Sequence, residues 1–146
     1  MSEHRRVTPE AARELLAEGY VYVDVRSEPE FEQGHVPGAF NVPITHAGPS
    51  GLTPNPEFLA VMEAAFDKSA KLLLGCKTGA RSLRAAKLLT QAGFSNLAEL
   101  MTGWDGSRDA FGRVQPGWSK QGFPVETGKP AAQSYDAVKN RAAPRG

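Results

Sequence analysis

Residues 71–93 read KLLLGCKTGARSLRAAKLLTQAG. Leu72, Leu73 and Leu74 form a short apolar run. Cys76, the single cysteine of the chain, stands where that run hands over to a small loop containing Lys77, Gly79 and Arg81. An amphipathic helical pattern then extends from Ala80 to Ala92, with Ala85, Leu88, Leu89 and Ala92 facing inward and Gly93 placed to end it. A strand–loop–helix turn of this kind brings backbone amides and the positive end of a helix towards the sulfur, which favours its anionic form. Gly79 lets the loop curl, so that successive amides can make an anion nest. Lys77 and Arg81 add positive charge, Arg81 as a planar fork suited to oxyanions. A thiol packed away from solvent, with the surrounding N–H bonds pointing elsewhere, would exclude nucleophilic chemistry.

Outward from this turn, strand and helix signals alternate. Thr8 can cap a helix that has Pro9 at its first position and Glu10 in its first turn, with Ala11, Ala12, Leu15 and Leu16 as the apolar stripe and Gly19 beyond its end. Tyr20 to Val25 is rich in Val and Tyr and predicts a strand. Glu28 to Gln33 predicts one or two helical turns, Gly34 to Gly38 a tight connection, and Ala39 to Val42 a short strand. Pro43 to Pro56 predicts a loop. Glu57 to Phe66 predicts a helix burying Phe58, Leu59, Met62 and Phe66, and Leu97 to Leu100 another strand. Strands separated by helices imply parallel pairing and an α/β sheet covered on both faces. Ligands of such sheets sit beyond the carboxyl ends of the strands, where Cys76 falls. From Thr127 onward Ala, Lys, Pro and Gly dominate, which predicts a domain over 1–126 and a flexible tail over 127–146.

Composition narrows the function. The chain has 146 residues, 40% hydrophobic and 23% charged, with a net charge of +1. That suits one soluble domain with a sizeable core, and gives no global field towards nucleic acid or an anionic membrane. No apolar run is long enough to span a bilayer. Met1 to Arg6 is followed by no apolar segment of signal-peptide type, and a lone cysteine excludes an internal disulfide, so a cytoplasmic location is expected. The lone cysteine also excludes a C-x-x-C dithiol. His4, His35 and His46 are too scattered to make a metal site with it, and no cofactor is expected. The glycine and Lys-Ser/Thr spacing around Gly75 to Ser82 does not match a phosphate-binding P-loop.

Three segments carry a family resemblance. They are Asp24-Val25-Arg26 followed by Glu30-Phe31, then Gly34-His35-Val36-Pro37-Gly38-Ala39 running into Asn41-Val42-Pro43, and finally Cys76-Lys77-Thr78-Gly79-Ala80-Arg81-Ser82. In that order, and over roughly residues 5 to 126, the chain resembles a single-domain rhodanese, a sulfurtransferase. The resemblance implies a three-layer α/β fold with a central five-stranded parallel sheet and helices on both faces. It implies that Cys76 accepts a sulfane sulfur from thiosulfate or a similar donor and passes it, as a persulfide, to cyanide or a thiol acceptor. Lys77, Thr78, Gly79, Ala80, Arg81 and Ser82 would then form the substrate-binding loop. Six residues from Cys76 to Arg81 is the loop length of sulfurtransferases in this superfamily. Related phosphatases and arsenate reductases carry one residue more.

Two roles are open for Arg81: orienting the sulfonate of thiosulfate, or holding the loop through its carbonyls. Asp24 and Arg26 are read as scaffold, pairing with Glu30 or with nearby backbone, and His35 as a structural turn residue. Trp104 and Trp118 are read as packing residues. Asp105 to Pro116 is an apparent insertion that either walls the pocket or is an inert excursion. A single unit without a partner domain suggests an open site, and with it a second function, a sulfur-relay module that delivers Cys76 persulfide to a protein acceptor.

Overall fold

The structure, a computed structural model, describes residues 5–142. Five strands form one parallel sheet in the order β1-β7-β6-β2-β3: β1 (Arg5–Val7), β2 (Val21–Asp24), β3 (Phe40–Asn41), β6 (Leu72–Gly75) and β7 (Leu97–Leu100). Register runs Val21 to Leu72 and Leu72 to Leu97 across the centre. Side chains alternate between the two faces as the pleat requires. Val23, Leu72 and Leu74 join one cluster, under α3 (Phe58–Ala65), α4 (Ala80–Gln91) and α5 (Tyr135–Ala142), while Tyr22, Leu73, Ala98 and Leu100 join the other, against α1 (Pro9–Ala17) and residues from α2 (Glu28–Gln33). The expected α/β sheet with helices on both faces is therefore present.

Local signals explain most elements. Thr8 caps α1 by accepting from the Ala11 amide at 3.2 Å, with Pro9 following it. Ser27 and Glu30 make a capping box at the start of α2. Among the described residues, no helix is long and apolar enough to cross a membrane.

Four features depart from the expectation. β1 reads Arg-Arg-Val and carries no strand-like alternation, yet it closes the sheet edge against β7, Arg6 opposite Glu99. The predicted loop at 43–56 holds an antiparallel hairpin, β4 (Thr45–Gly48) and β5 (Gly51–Pro54). Its four β5 residues are all exposed, so no apolar period marked it. The insertion folds as a second hairpin, β8 (Gly106–Arg108) and β9 (Val114–Pro116).

The fourth departure is the largest. The flexible tail expected over 127–146 is ordered through Ala142; residues 143–146 lie outside the described residues. Tyr135 and Val138 are buried in the α3/α4 cluster. The Asn41 amide donates to Gln133 O at 2.9 Å, and Asn55 Nδ2 donates to the Tyr135 hydroxyl at 2.9 Å. Two apolar side chains at i and i+3 suffice to seat so short a helix, and a polar average over the segment hides them. Tyr135→Ala is expected to cost about 3 kcal/mol, read from the denaturant midpoint. A midpoint equal to wild type would mean that α5 adds nothing to stability.

Candidate functional site

The C-terminal ends of β2, β6 and β7 converge on the loop from Cys76 to Ser82. The loop is pinned by its carbonyls. Cys76 O accepts from the Trp104 amide at 2.7 Å and Lys77 O from the Asp105 amide at 2.9 Å. Gly79 O accepts from Arg6 Nη2 and from the Leu83 amide, each at 3.2 Å, and Ser82 Oγ lies at the same distance. With those oxygens held from outside, the amides are left over. Among the described residues, the N–H groups of Lys77, Thr78, Ala80, Arg81 and Ser82 have no protein acceptor. The Gly79 amide donates to Cys76 Sγ at 3.1 Å. Unpaired successive amides at the start of α4 make an anion-binding concavity.

Two glycines make this geometry attainable. Gly79 sits at φ 101°, and a Cβ there would run into Met101 O. Gly75, immediately before the cysteine, lies against the Tyr22 hydroxyl so closely that any side chain would collide with it. Gly75→Ala is expected to destabilise the fold by about 1–3 kcal/mol, because the ring sits in a packed core. An unchanged midpoint would show that Tyr22 moves aside freely.

The sulfur itself is covered. Cys76 is 1% exposed and belongs to the larger apolar cluster. Of the two conditions that together would exclude the role, the thiol is packed away from solvent, but the Gly79 amide is directed at the sulfur. Ser82 is also buried; the thiol donates to its Oγ at 3.5 Å, and that hydroxyl donates to Glu99 Oε1 at 2.8 Å. Glu99 is fully buried on β7 and is paired with Arg6.

Arg81 does not hold the loop through its carbonyls. Its guanidinium makes a two-pronged pair with Glu30, at 2.8 and 2.9 Å, tying α4 to α2. The guanidinium that holds a loop carbonyl is Arg6 instead. Lys77 is half exposed, with its ammonium 3.8 Å from Asp105 at the foot of the second hairpin. Asp24 and Arg26 pair with each other at 2.7 Å, not with Glu30, and Arg26 also donates to a nearby backbone oxygen, Gly34 O, at 2.6 Å. His35 is buried in its turn, with Nδ1 donating to Phe31 O at 2.7 Å and Nε2 2.9 Å from Glu126 Oε1. Trp118 is packed against Phe123, and Trp104 lies over Arg26. The insertion borders the loop: Ser107, Arg108 and Gln115 share a groove with Thr78, Gly79 and Ala80.

Burial opposes ionisation of Glu30, but the hydrogen bonds from Arg81 and Ser27 outweigh it and lower its pKa from 4.5 to about 2. Because the folded value lies below the unfolded one, this stabilisation is complete above about pH 4.5 and is lost as pH falls towards about 2. Glu30→Gln should therefore flatten the loss of stability between pH 5 and pH 3 (bracketing the titration of an ordinary carboxyl, about 4.3), measured as urea midpoints. Parallel curves for the two proteins would contradict the pairing.

Sequence reasoning missed Arg6, Glu99 and the Arg81–Glu30 pair. Both Glu99 and Arg6 lie in strands, where alternation would have placed Glu99 on a sheet face, and a buried acid in a core strand is itself a signal of a partner.

The family model described as Rhodanese-like domain matches residues 8–110. The chain is 35% identical over 130 residues to Thiosulfate sulfurtransferase 16, chloroplastic, of Arabidopsis thaliana, covering 86% of this chain and 99% of that protein. It is 32% identical over 118 residues to Thiosulfate sulfurtransferase 18 of the same plant, covering 80% and 79%. Among solved structures, Rv0390 from M. tuberculosis superposes with a TM-score of 0.71 at 29% identity, over 87% of this chain and 100% of that one.

Proposed function

The chain belongs to the rhodanese-like domain family, and from that premise we propose that it moves a sulfane sulfur from thiosulfate or a similar donor to cyanide or a thiol, through a persulfide on Cys76. The Gly79 amide directed at the sulfur, beside five amides without a protein acceptor, is the observation that carries this. Cys76 attacks the outer sulfur of thiosulfate. The new S–S bond forms as the old one breaks, and sulfite leaves with the bonding pair. The persulfide keeps one negative charge, which the free amides of the loop are positioned to receive. Cyanide or a thiolate then takes the outer sulfur, and the Cys76 sulfur leaves with the pair. Names of relatives such as Thiosulfate sulfurtransferase 16 support the same donor for this chain.

Burial of the thiol sets an order of acceptors. With Cys76 covered, a two-atom anion reaches the outer sulfur more readily than a folded protein does. Pre-formed Cys76 persulfide should thus discharge faster to cyanide than to any protein thiol of equal concentration, followed by stopped-flow loss of the persulfide. Faster discharge to a protein thiol would favour the relay instead. One observation supports that second reading: the hairpin beside the loop holds Phe111 81% exposed, between Arg108 and Arg113, and Val114 62% exposed next to Arg113.

A further inference from the structure

The buried carboxylate of Glu99 is unused by the chemistry above. It is wholly buried on β7, one strand in from the sheet edge, and Arg6 on the edge strand β1 is bonded to both of its oxygens. Ser82 joins it to the reacting sulfur. The Cys76 thiol donates to Ser82 Oγ at 3.5 Å, and Ser82 Oγ donates to Glu99 Oε1 at 2.8 Å. The one proton of this hydroxyl has two acceptors in reach, Glu99 Oε1 at 2.8 Å and Gly79 O at 3.2 Å; directed along the shorter contact, the hydroxyl donates to the carboxylate while a lone pair accepts from the thiol. This is a continuous path for a proton from the sulfur to an acid that water does not reach.

We propose that Glu99, acting through Ser82, takes up the proton of Cys76 when the thiol attacks its sulfur donor. This rests on the reading of Cys76 as the nucleophile. As the Cys76 sulfur bonds to the outer sulfur of thiosulfate, its proton passes to Ser82 Oγ, and the Ser82 proton passes to Glu99 Oε1. Sulfite leaves, Glu99 becomes the neutral acid, and Ser82 is restored. When the acceptor removes the outer sulfur, the Cys76 sulfur recovers its proton along the same path and Glu99 is again a carboxylate. The net charge of the protein's own groups thus stays constant while the persulfide anion exists, which lowers the cost of holding that anion in a buried site. Ser82 touches the reacting sulfur; Glu99 acts through it, as a positioning residue. Arg6 fixes the carboxylate and, through Nη2 to Gly79 O at 3.2 Å, the loop as well.

The other ionisable groups facing this path keep their charge near neutral pH. Tyr22 on β2 faces both Cys76 and Glu99, and burial followed by the neighbouring Asp24 charge pushes its phenol well above its usual range. Arg81 on α4 is held charged by its hydrogen bond to Glu30 on α2. Arg26 after β2 is held charged by Asp24, which outweighs its burial. Lys77 engages Asp105, away from the path.

The test follows two reactions of the one thiol across pH 6 to 9.5 (a range spanning ordinary cysteine ionisation, about 8.5): persulfide formation with thiosulfate, and alkylation by iodoacetamide. Glu99→Gln keeps the shape and an acceptor for Ser82 but cannot take a proton. Ser82→Ala cuts the path while leaving the Arg6–Glu99 pair. Each variant should react about 100-fold more slowly than wild type at the acid end, with the gap closing towards the alkaline end, where hydroxide removes the proton unaided. The double variant should be no slower than the slower single one. An equal loss at every pH would mean a purely structural role and would overturn the proposal. Unchanged or faster reaction in Glu99→Gln would overturn it too, because Glu99 would then be only a fixed negative charge opposing the thiolate. The two readings fail separately: pH-dependent slowing of alkylation without any persulfide from thiosulfate would keep the relay and remove thiosulfate as donor. A wild-type thiol inert to both reagents would remove the nucleophile and the relay together.

Discussion

Cys76→Ser is expected to abolish thiocyanate formation from thiosulfate and cyanide while leaving the fold intact. A serine hydroxyl fits the same space and finds the same partners, the Gly79 amide and Ser82 Oγ, so no buried polar atom is orphaned. Stability should stay within about 1–2 kcal/mol of wild type. Chemistry has no such tolerance. An alkoxide is far harder to form than a thiolate, and oxygen cannot carry the sulfane sulfur as a persulfide does. With one cysteine in the chain, no second thiol can take over. Activity should fall to the level of the buffer blank in a colorimetric thiocyanate assay. Turnover retained in this variant would place the reaction elsewhere.

Gly79→Ala should have the next largest effect, for a backbone reason. At φ 101° a residue with a Cβ is strained, and here that Cβ also meets the carbonyl of Met101 at the end of β7. Relief requires the peptide to rotate. That rotation withdraws the amide directed at Cys76 Sγ and disturbs Gly79 O, which anchors Arg6 and Ser82. Loss of one such donor typically costs about 100-fold in rate, and the strain about 2 kcal/mol in stability. Both should appear together, in the sulfur-transfer rate and in the thermal midpoint. Wild-type activity in Gly79→Ala would mean that the amide plays no part in holding charge on the sulfur.

The fold was legible where one residue type does one job. Thr8 with Pro9 marks the start of α1, and Leu72 to Leu74 with the helical period from Ala80 marks the turn that holds Cys76. Averages failed where few residues decide. Tyr135 and Val138 seat α5 inside a stretch that reads as tail, and Arg5–Val7 pairs as a strand because β7 offers an open edge, not because Arg favours strands.

In the site, the identity of the nucleophile and the role of Gly79 follow from local sequence. The partners of the charged groups do not, because they are set by tertiary approach. Arg81 is drawn to Glu30, 51 residues away in sequence, and Arg6 to Glu99, 93 residues away. Spacing along the chain says nothing about such pairs. Burial of the thiol was likewise hidden, since it depends on side chains from several elements gathering into the cluster that contains Cys76.

Whether Cys76 carries one extra sulfur atom can be read from intact mass after incubation with thiosulfate. The expected result is a gain of one sulfur, about 32 Da, which disappears on adding cyanide and is absent from Cys76→Ser. No gain in the wild-type protein, or the same gain in Cys76→Ser, would contradict it.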